Sequence, residues 1–268
     1  MLLRSGVNIG ISQSFNLNNE LGSSLITSAL QAGGPKQVSL NMLYWEQDLF
    51  AGRLLLYIGH IHPNQHIGLS YLNDDETFQF LAASYDGNMS NPYSGAYTTG
   101  AAIEYRPKPH IFVHTVAADT EGSAYTGPLT LADGKLYEAL EAGWTTGSYG
   151  EKLRNYRVAI WRADTKSNGS GDGAALGSDH EFSSGWAPFG RFGFGTRTGT
   201  TIKQVESIGL THVRPFGRLD DMFGIAMTWS RPSHGLQPQE QLFETFYRAR
   251  LTHSMELGPD VEILGHPA

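Results

Sequence analysis

The chain has 268 residues, a formal net charge of −7 at pH 7 and no cysteine. This length suits one large domain or two small ones. The lack of cysteine excludes a disulfide framework, a thiolate zinc site and a cysteine nucleophile. The acidic balance, with basic residues scattered along the chain, argues against a nucleic-acid partner.

Composition leaves two classes of protein open. The 32 glycines and the aromatic content of 11% are shared by transmembrane β-barrels and soluble all-β proteins. A transmembrane helix needs about 20 consecutive apolar residues, and the sequence has no such run. Barrel strands alternate lipid-facing and lumen-facing residues, so a barrel is compatible with low mean hydropathy. Residues 1–6 lead directly into a polar stretch, so we expect no signal peptide within this chain.

Two short segments are candidate helices. Apolar residues recur at helical spacing over residues 18–32, which end at Gly33 and Gly34, and a second helix is predicted over residues 77–83. Nearly everything else alternates with period two, which predicts about eleven strands. The predicted strands start near Val7 and then cover residues 38–47, 53–62, 96–106, 110–118, 135–146, 152–163, 182–196, 203–216, 221–231, 239–253 and 259–265.

The connections between these strands are alternately short and long. Residues 106–109 and 216–220 are tight turns, whereas residues 164–181, rich in Gly, Ser and Asp, are predicted to form a long polar loop. Outer-membrane barrels have short turns at one end and longer loops at the other. Strands of eight to twelve residues also exceed the soluble average of about 5–6. The pattern favours an all-β, antiparallel up-and-down transmembrane β-barrel, with residues 1–268 as a single domain.

Motif searches give no enzymatic chemistry, metal or cofactor. Gly193-Phe194-Gly195 lies inside a strand pattern without the spacing of a dinucleotide loop. His60 and His62 share a strand face, but no carboxylate is close in sequence, so exposed histidines are favoured over a zinc site. The acidic triplet Asp74, Asp75 and Glu76 fits either a solvated turn or a constriction loop folded into a lumen.

Arginine placement is the strongest physical pattern. Arg157 and Arg191 alternate with apolar residues, and Arg248 and Arg250 lie opposite Phe243, Tyr247 and Leu251. An arginine facing lipid at the bilayer midplane costs about 2–4 kcal/mol. In a barrel these side chains must therefore face the lumen. A soluble sandwich with the arginines in water explains the alternation equally well.

Several segments, in one order, resemble the bacterial carbohydrate-selective porins of the OprB family. Residues 44–54 (YWEQDLFAGRL) resemble the WYEQxLFDGRL hairpin of that family, and residues 185–193 (GWAPFGRFG) resemble its GWGxFxRxG strand. Residues 214–224 (RPFGRLDDMFG), 244–252 (ETFYRARLT) and 259–263 (PDVEI) resemble its PGRPDDxxG, ExxYxxxLT and PDxQY segments.

The sequence also departs from the family pattern. Glu262 stands where the family usually has Gln. The family barrel has about sixteen strands, and its first strands and closing aromatic strand are not matched here. The resemblance leaves open a fragment, a barrel closed with fewer strands, or one piece of a larger assembly.

The resemblance implies a bacterial outer-membrane porin through which mono- or small oligosaccharides diffuse, in contact with outer-membrane lipid and without catalysis. Homo-oligomer formation stays open. The alternatives are a non-conducting structural or accessory barrel and a soluble all-β carbohydrate-binding domain. Side-chain alternation and resemblance together give these candidates for sugar contact in the lumen: Tyr44, Glu46, Arg53, Asp74, Asp75, Glu76, Arg157, Trp161, Arg191, Glu244, Arg248 and Arg250.

Overall fold

The structure is a computed structural model, and the part of the chain that it describes is almost entirely β-strand. It describes residues 2–7, 38–73, 78–82, 84–85, 90, 97–123, 126–147, 152–165, 169–196, 202–232, 239–253 and 255–266, with backbone alone for residues 2–7 and 38–41. Helical conformation in these ranges is limited to single 3₁₀ turns at Pro63–Gln65, Leu131–Asp133 and Pro215–Gly217. None of the described helices has the length and apolarity needed to span a membrane.

One antiparallel sheet contains every described strand. The strands are β1 (Leu2–Val7), β2 (Val38–Leu49), β3 (Leu54–Ile61), β4 (Thr98–Lys108), β5 (Ile111–Asp119), β6 (Leu136–Thr146), β7 (Arg154–Thr165), β8 (Gly169–His180), β9 (Trp186–Gly195), β10 (Ile202–Val213), β11 (Met222–Pro232), β12 (Glu240–Thr252), β13 (Met255–Leu257) and β14 (Asp260–Gly265). From β1 to β13 each strand pairs with the next, and β14 pairs with β12. Among the described residues, no ladder joins the first strand to the last.

The last two strands are one strand with a break. β13 and β14 both pair antiparallel with β12, and the pairs Ala249–Leu257 and Phe246–Asp260 belong to the same register. Gly258 and Pro259 separate the two parts. Proline has no N–H to donate to a ladder, which accounts for the interruption.

Alternation along the strands separates an inner face from an outer face. On β7 the inner residues Asn155, Arg157 and Trp161 are buried, whereas the outer residues Val158 and Ile160 are 47% and 56% exposed. Long apolar side chains exposed on the outer face of a sheet are typical of a barrel surface in lipid. The large exposed apolar side chains of this face include Trp45, Ile58, Ile103, Leu140, Trp144, Leu176, Phe194, Ile208, Ile225, Val261 and Ile263.

The inner face is covered by the chain between β3 and β4. We call the described residues of this connection, 62–73, 78–82, 84–85, 90 and 97, the inward segment. Its buried residues join two apolar clusters on the inner face. One contains Phe80 and Tyr85 with Phe189 and Phe246 of β9 and β12, and the other contains Ile67 with Tyr137 and Trp161 of β6 and β7.

The two ends of the sheet differ. Short turns at residues 50–53, 109–110, 181–185 and 214–221 join strands at one end, which we call the turn end. The inward segment and residues 120–135 join strands at the opposite end. Short turns at one end and longer connections at the other are the arrangement of outer-membrane barrels.

The prediction of a polar loop over residues 164–181 was wrong, because most of this stretch is the twelve-residue strand β8. Glycine, serine and aspartate have low strand propensity. Pairing along the whole length of β7 and with β9 nevertheless places them in the sheet. This omission is the main reason that the predicted strand count was low.

Of the two predicted helices, only the one over residues 77–83 includes described residues. Residues 18–32 lie outside the described residues. Of the predicted helix over residues 77–83, the described residues 78–82 form a turn, bends and irregular chain instead of a helix. Phe80 and Ala82 of this stretch are buried in an apolar cluster on the inner face.

Candidate functional site

The candidate site is the inner face together with the inward segment. Charged or titratable side chains project from this face on each strand from β4 to β9 and on β12, and they are buried or nearly so. A buried charge is costly unless it is paired and hydrogen-bonded. The partners of these charges therefore show how the site is organised.

The first part of the inward segment is held by β4, β5 and β6. His66 Nδ1 lies 2.9 Å from Glu104 Oε1, and the backbone N–H of Gly68 donates to Glu141 Oε2 at 2.8 Å. His114 Nδ1 lies 3.2 Å from the carbonyl oxygen of His66. Pro63, at the start of a 3₁₀ turn, directs the chain inward at the end of β3.

Asp179 on β8 is the centre of a second group of contacts. Arg157 Nη1 donates to its carboxylate at 3.0 Å, and Asn155 Nδ2 donates to the same oxygen at 3.1 Å. Ser70 Oγ of the inward segment donates to the other oxygen at 2.8 Å. Two adjacent strands and the segment thus share one fully buried carboxylate.

The second part of the inward segment is held by β12. Glu244 accepts hydrogen bonds from the backbone N–H groups of Leu81 and Ala82, at 2.7 and 3.1 Å. Arg248 Nη2 donates to the carbonyl oxygen of Gln79 at 2.8 Å and to Asp260 Oδ2 at 2.5 Å. A carboxylate and a guanidinium on the same face of β12 therefore bind the N–H groups and a carbonyl group of the same backbone.

β9 supplies the remaining anchor. Arg191 Nη1 donates to the carbonyl oxygen of Tyr85 at 2.6 Å, and Nη2 lies 3.5 Å from that of Gly68. One side chain thereby contacts both parts of the inward segment. The Tyr85 hydroxyl donates to the carbonyl oxygen of Leu242 at 3.5 Å. Burial raises the pKa of Tyr85 above the ordinary tyrosine range, so the phenol is neutral at physiological pH.

Aromatic packing surrounds these polar anchors. The Phe80 ring lies between Tyr85, Phe189 and Phe246, with centroid distances of 4.7, 5.5 and 4.8 Å. Offset and edge-to-face aromatic pairs contribute about 0.5–1.5 kcal/mol beyond the area they bury. The inward segment is thus held by apolar contacts as well as by charge.

Three carboxylates approach each other where β12 meets β14. Oxygens of Glu244, Asp260 and Glu262 lie within 4.8 Å of one another. Both oxygens of Glu244 accept backbone amides, and Asp260 accepts from Arg248. Glu244 therefore holds the backbone of the inward segment, and Asp260 holds Arg248 of β12, which also binds that segment.

The structure places the sequence-predicted candidates in different surroundings. Tyr44 and Glu46 share a strand face on β2, and Tyr44 packs edge-on against Tyr57 at 5.5 Å. Arg250 lies at the turn end of β12, where it bonds to Glu256. Asp74, Asp75 and Glu76 lie outside the described residues. The candidates that the structure brings onto the buried inner face are Arg157, Trp161, Arg191, Glu244 and Arg248.

The structure places Arg53 outside the strands, and a role for it in the lumen stays a prediction. Arg53 is exposed in the turn between β2 and β3, and its carbonyl oxygen accepts from the N–H of Arg106. The alternation that orients strand residues ends before this position. The resemblance of residues 44–54 to a family hairpin therefore identified the hairpin but did not orient this side chain.

Sequence reasoning missed two central carboxylates. Asp179 was assigned to a loop, so its face could not be predicted. Glu141 lies on β6 and shares the inner face with Tyr137 and Ala139. Its position two and four residues from these buried side chains was a signal that could have identified it.

An antiparallel up-and-down sheet with an apolar outer face and a polar inner face that holds a folded-in segment is the arrangement of porin-type outer-membrane barrels. The family model described as "Carbohydrate-selective porin, OprB family" matches residues 3–174 and 145–268. The chain belongs to this family. Membership of this family gives it the function of an outer-membrane carbohydrate porin.

Solved structures support the same fold. The high-pH structure of Pseudomonas putida OprB superposes with a TM-score of 0.70 at 14% identity, covering 87% of this chain and 69% of that one. The low-pH structure of the same protein gives a TM-score of 0.60 at 14% identity, covering 86% of this chain and 64% of that one. No curated protein matches the sequence. The predicted fold class and family resemblance are confirmed.

Proposed function

We propose that small carbohydrates diffuse through a lumen bounded by the inner face and narrowed by the inward segment. The observation that carries this proposal is that charged side chains of the inner face bind the inward segment. Charged residues on β4, β6, β8, β9 and β12 bind backbone and side-chain groups of the inward segment, which holds the segment against the inner face. The segment therefore sets the width of the path.

In this proposal most of the arginines and carboxylates hold the constriction in place and do not bind sugar. Arg157, Arg191, Glu244 and Arg248 are each engaged with protein groups. Tyr44 and Glu46 lie nearer the turn end and are more accessible. Aromatic rings and carboxylates suit the C–H faces and hydroxyls of a pyranose. We assign sugar contact along the open part of the lumen to these two residues.

The proposal also places the protein in the outer membrane. The chain acts as one domain, residues 1–268, in the outer membrane, with its apolar outer face in contact with lipid. The motive is the outer apolar face, on which Ile58, Val158, Ile160 and Leu176 are about half exposed. Association with further copies is compatible with this arrangement.

The experiment is conductance of the purified chain in a planar bilayer, with mono- and oligosaccharides added to one side. We expect open channels whose current falls as sugar is added. Glu46→Gln and Tyr44→Ala should weaken the sugar block with little change in folding, and Asp48→Asn near the same turn serves as the control. Unchanged sugar block in both variants would remove Tyr44 and Glu46 from the path.

The second candidate is a non-conducting structural barrel. The observation that favours it is the close packing of the inward segment, because Phe80, Tyr85 and Leu72 are at most 1% exposed. A lumen filled in this way passes no solute. Folded protein that inserts into bilayers without sugar-sensitive current would establish this candidate.

A further inference from the structure

The outer face carries an aromatic row at the turn end that channel function does not use. Trp186, His212, Phe223 and Tyr247 are successive cross-strand partners on β9, β10, β11 and β12. Trp186 packs edge-on against His212 with ring centroids 4.4 Å apart. Together with Pro215 and Phe216, these four side chains line an apolar groove of about 380 Å³.

A polar cavity adjoins this groove. It has a volume of about 470 Å³ and lies between three turns at the turn end. Its lining includes the cations Lys152 and Arg214 and the hydroxyls of Ser183 and Ser184. Among the described lining residues the one carboxylate is Glu181, which accepts a hydrogen bond from the backbone N–H of Leu153 at 3.3 Å. The lining thus combines two cations with hydroxyl donors.

His212 belongs to both cavities. Its Nδ1 is buried and has no hydrogen-bond partner within the described part of the chain. A buried polar atom that lacks a partner costs free energy unless a ligand or water satisfies it. Gly185, at φ +86°, keeps the space beside the His212 imidazole open. A Cβ at this position would lie 2.6 Å from the carbonyl oxygen of Val213 and 3.4 Å from the His212 ring.

We propose that this paired cavity binds one anionic glycerophospholipid. The phosphate occupies the polar cavity near Lys152, Arg214 and His212, and an acyl chain lies along the aromatic groove. The choice of an anionic ligand rests on charge complementarity, because Lys152 and Arg214 both line the polar cavity. The cavity lies at the level where the outer face changes from apolar to polar. Aromatic residues concentrate at this level in membrane proteins, and basic residues near it attract anionic lipid. The inference rests on the proposed membrane position of the outer face.

The test uses the full chain, folded in neutral detergent micelles and measured by native mass spectrometry. Dioctanoyl phosphatidylglycerol is the probe. Dioctanoylglycerol, which has the acyl chains without the phosphate, and inorganic phosphate, which has no acyl chains, are the two comparison compounds. We expect one tightly retained probe molecule, with weaker binding of either comparison compound. The double variant Lys152→Ala/Arg214→Ala should bind the probe about thirtyfold more weakly, as expected for losing two cations near an anionic lipid.

The matched control is Lys203→Ala/Arg231→Ala, which removes two exposed cations from the opposite end of β10 and β11. It should bind the probe like the original chain. Phe216→Ser changes a side chain that is 90% exposed, so it tests the groove with little risk to folding and should also weaken binding. Heat-modifiable gel migration verifies that each variant is folded.

Equal probe affinity in both double variants, or probe binding no tighter than that of dioctanoylglycerol, would overturn the proposal. Retention of many exchangeable probe molecules without a preferred one would show only general lipid coating and would also overturn it. So would a protein dimer that forms without lipid and is lost in Phe216→Ser. Lipid retention in micelles does not depend on conductance, so failure of the channel proposal and failure of the lipid proposal are distinguishable.

Discussion

The two faces of the sheet at β7 and β8 carry the same pair of chemical groups in opposite environments. Arg157 on the inner face bonds to Asp179 at 3.0 Å, and the two side chains are 4% and 0% exposed. Near the end of the strand, Arg162 bonds to Asp164 at 3.2 Å, and these side chains are 64% and 21% exposed. The distances are similar, so burial decides what each pair does. The inner pair is part of the anchor of the inward segment, whereas the outer pair is solvated.

The largest expected effect comes from breaking the inner pair. Asp179→Ala leaves Arg157 buried without its carboxylate and removes the acceptor of Ser70 and Asn155. Breaking a buried pair in this way costs about 3–5 kcal/mol. Urea unfolding in lipid vesicles measures this change. Arg162→Ala is the comparison, and it should change the free energy of unfolding by less than about 1 kcal/mol. Equal losses in the two variants would mean that burial does not separate the pairs.

A charge placed on the outer face should cost nearly as much. Ile160 is 56% exposed in the middle of β7, and arginine at the bilayer midplane costs about 2–4 kcal/mol. Ile160→Arg should therefore lower the stability of the vesicle-folded protein by that amount. Ile111→Arg, at the turn end of β5, should cost about 0–1 kcal/mol because the interface solvates the charge. A reversed order would place the membrane elsewhere on the outer face.

A smaller effect is expected when one anchor of the inward segment is weakened. Glu244→Gln keeps the volume but replaces one carboxylate oxygen by an NH₂ group, which cannot accept from the N–H of Leu81 or Ala82. A buried donor without a partner costs about 1–3 kcal/mol. The segment should then be more often displaced, which raises the mean conductance and speeds proteolysis between β3 and β4. Glu138→Gln, on the exposed outer side of β6, serves as the control, and a similar rise in both variants would exclude a role specific to Glu244.

The smallest effect concerns pH at the turn end. Burial raises the pKa of Asp221, but hydrogen bonds from Tyr247, Arg218 and the N–H of Arg250 outweigh it and hold the pKa below the ordinary aspartate value. Because the folded state favours the ionised form, this carboxylate stabilises the protein above its unfolded pKa of about 3.8. The contribution is lost as pH falls through the lower folded pKa.

Asp221→Asn should therefore reduce the difference in stability between pH 7 and pH 2.5. Unfolding midpoints at a series of pH values measure this difference, and Asp220→Asn in the same turn is the control. If Asp221→Asn loses as much stability as the original chain between pH 7 and pH 2.5, the Asp221 carboxylate does not cause the pH dependence. The control Asp220→Asn should behave like the original chain.

Strand positions were largely predictable because local chemistry repeats along each strand. The predicted segment 152–163 and the observed β7 differ by two residues at each end, and its inner residues Arg157 and Trp161 were assigned together. Period two is a property of the chain itself, so it survives in any sheet. The same rule failed for β8, because Gly171, Gly173 and Gly177 have no side chains that could mark a face.

The anchors of the inward segment were predictable only in part. Alternation gave Arg191, Glu244 and Arg248 a common face, but their partners are backbone groups of residues more than 100 positions away. No local pattern in residues 78–85 indicates which carbonyl or amide will meet which wall residue. The sequence therefore predicted charged groups facing a lumen but not that they would hold a segment of chain there.

By itself, the sequence determined long strands with one apolar and one polar face, and its resemblance to the OprB family indicated a porin. The physical reason is the cost of placing charge in lipid, which restricts arginine to alternate positions. The tertiary structure decided what the polar face does, because a buried charge must find a partner and the nearest partners belong to the folded-back chain between β3 and β4. It also decided that Arg53 lies in a turn and that the Gly-rich stretch at 169–180 is a strand, since both depend on pairing with neighbouring strands.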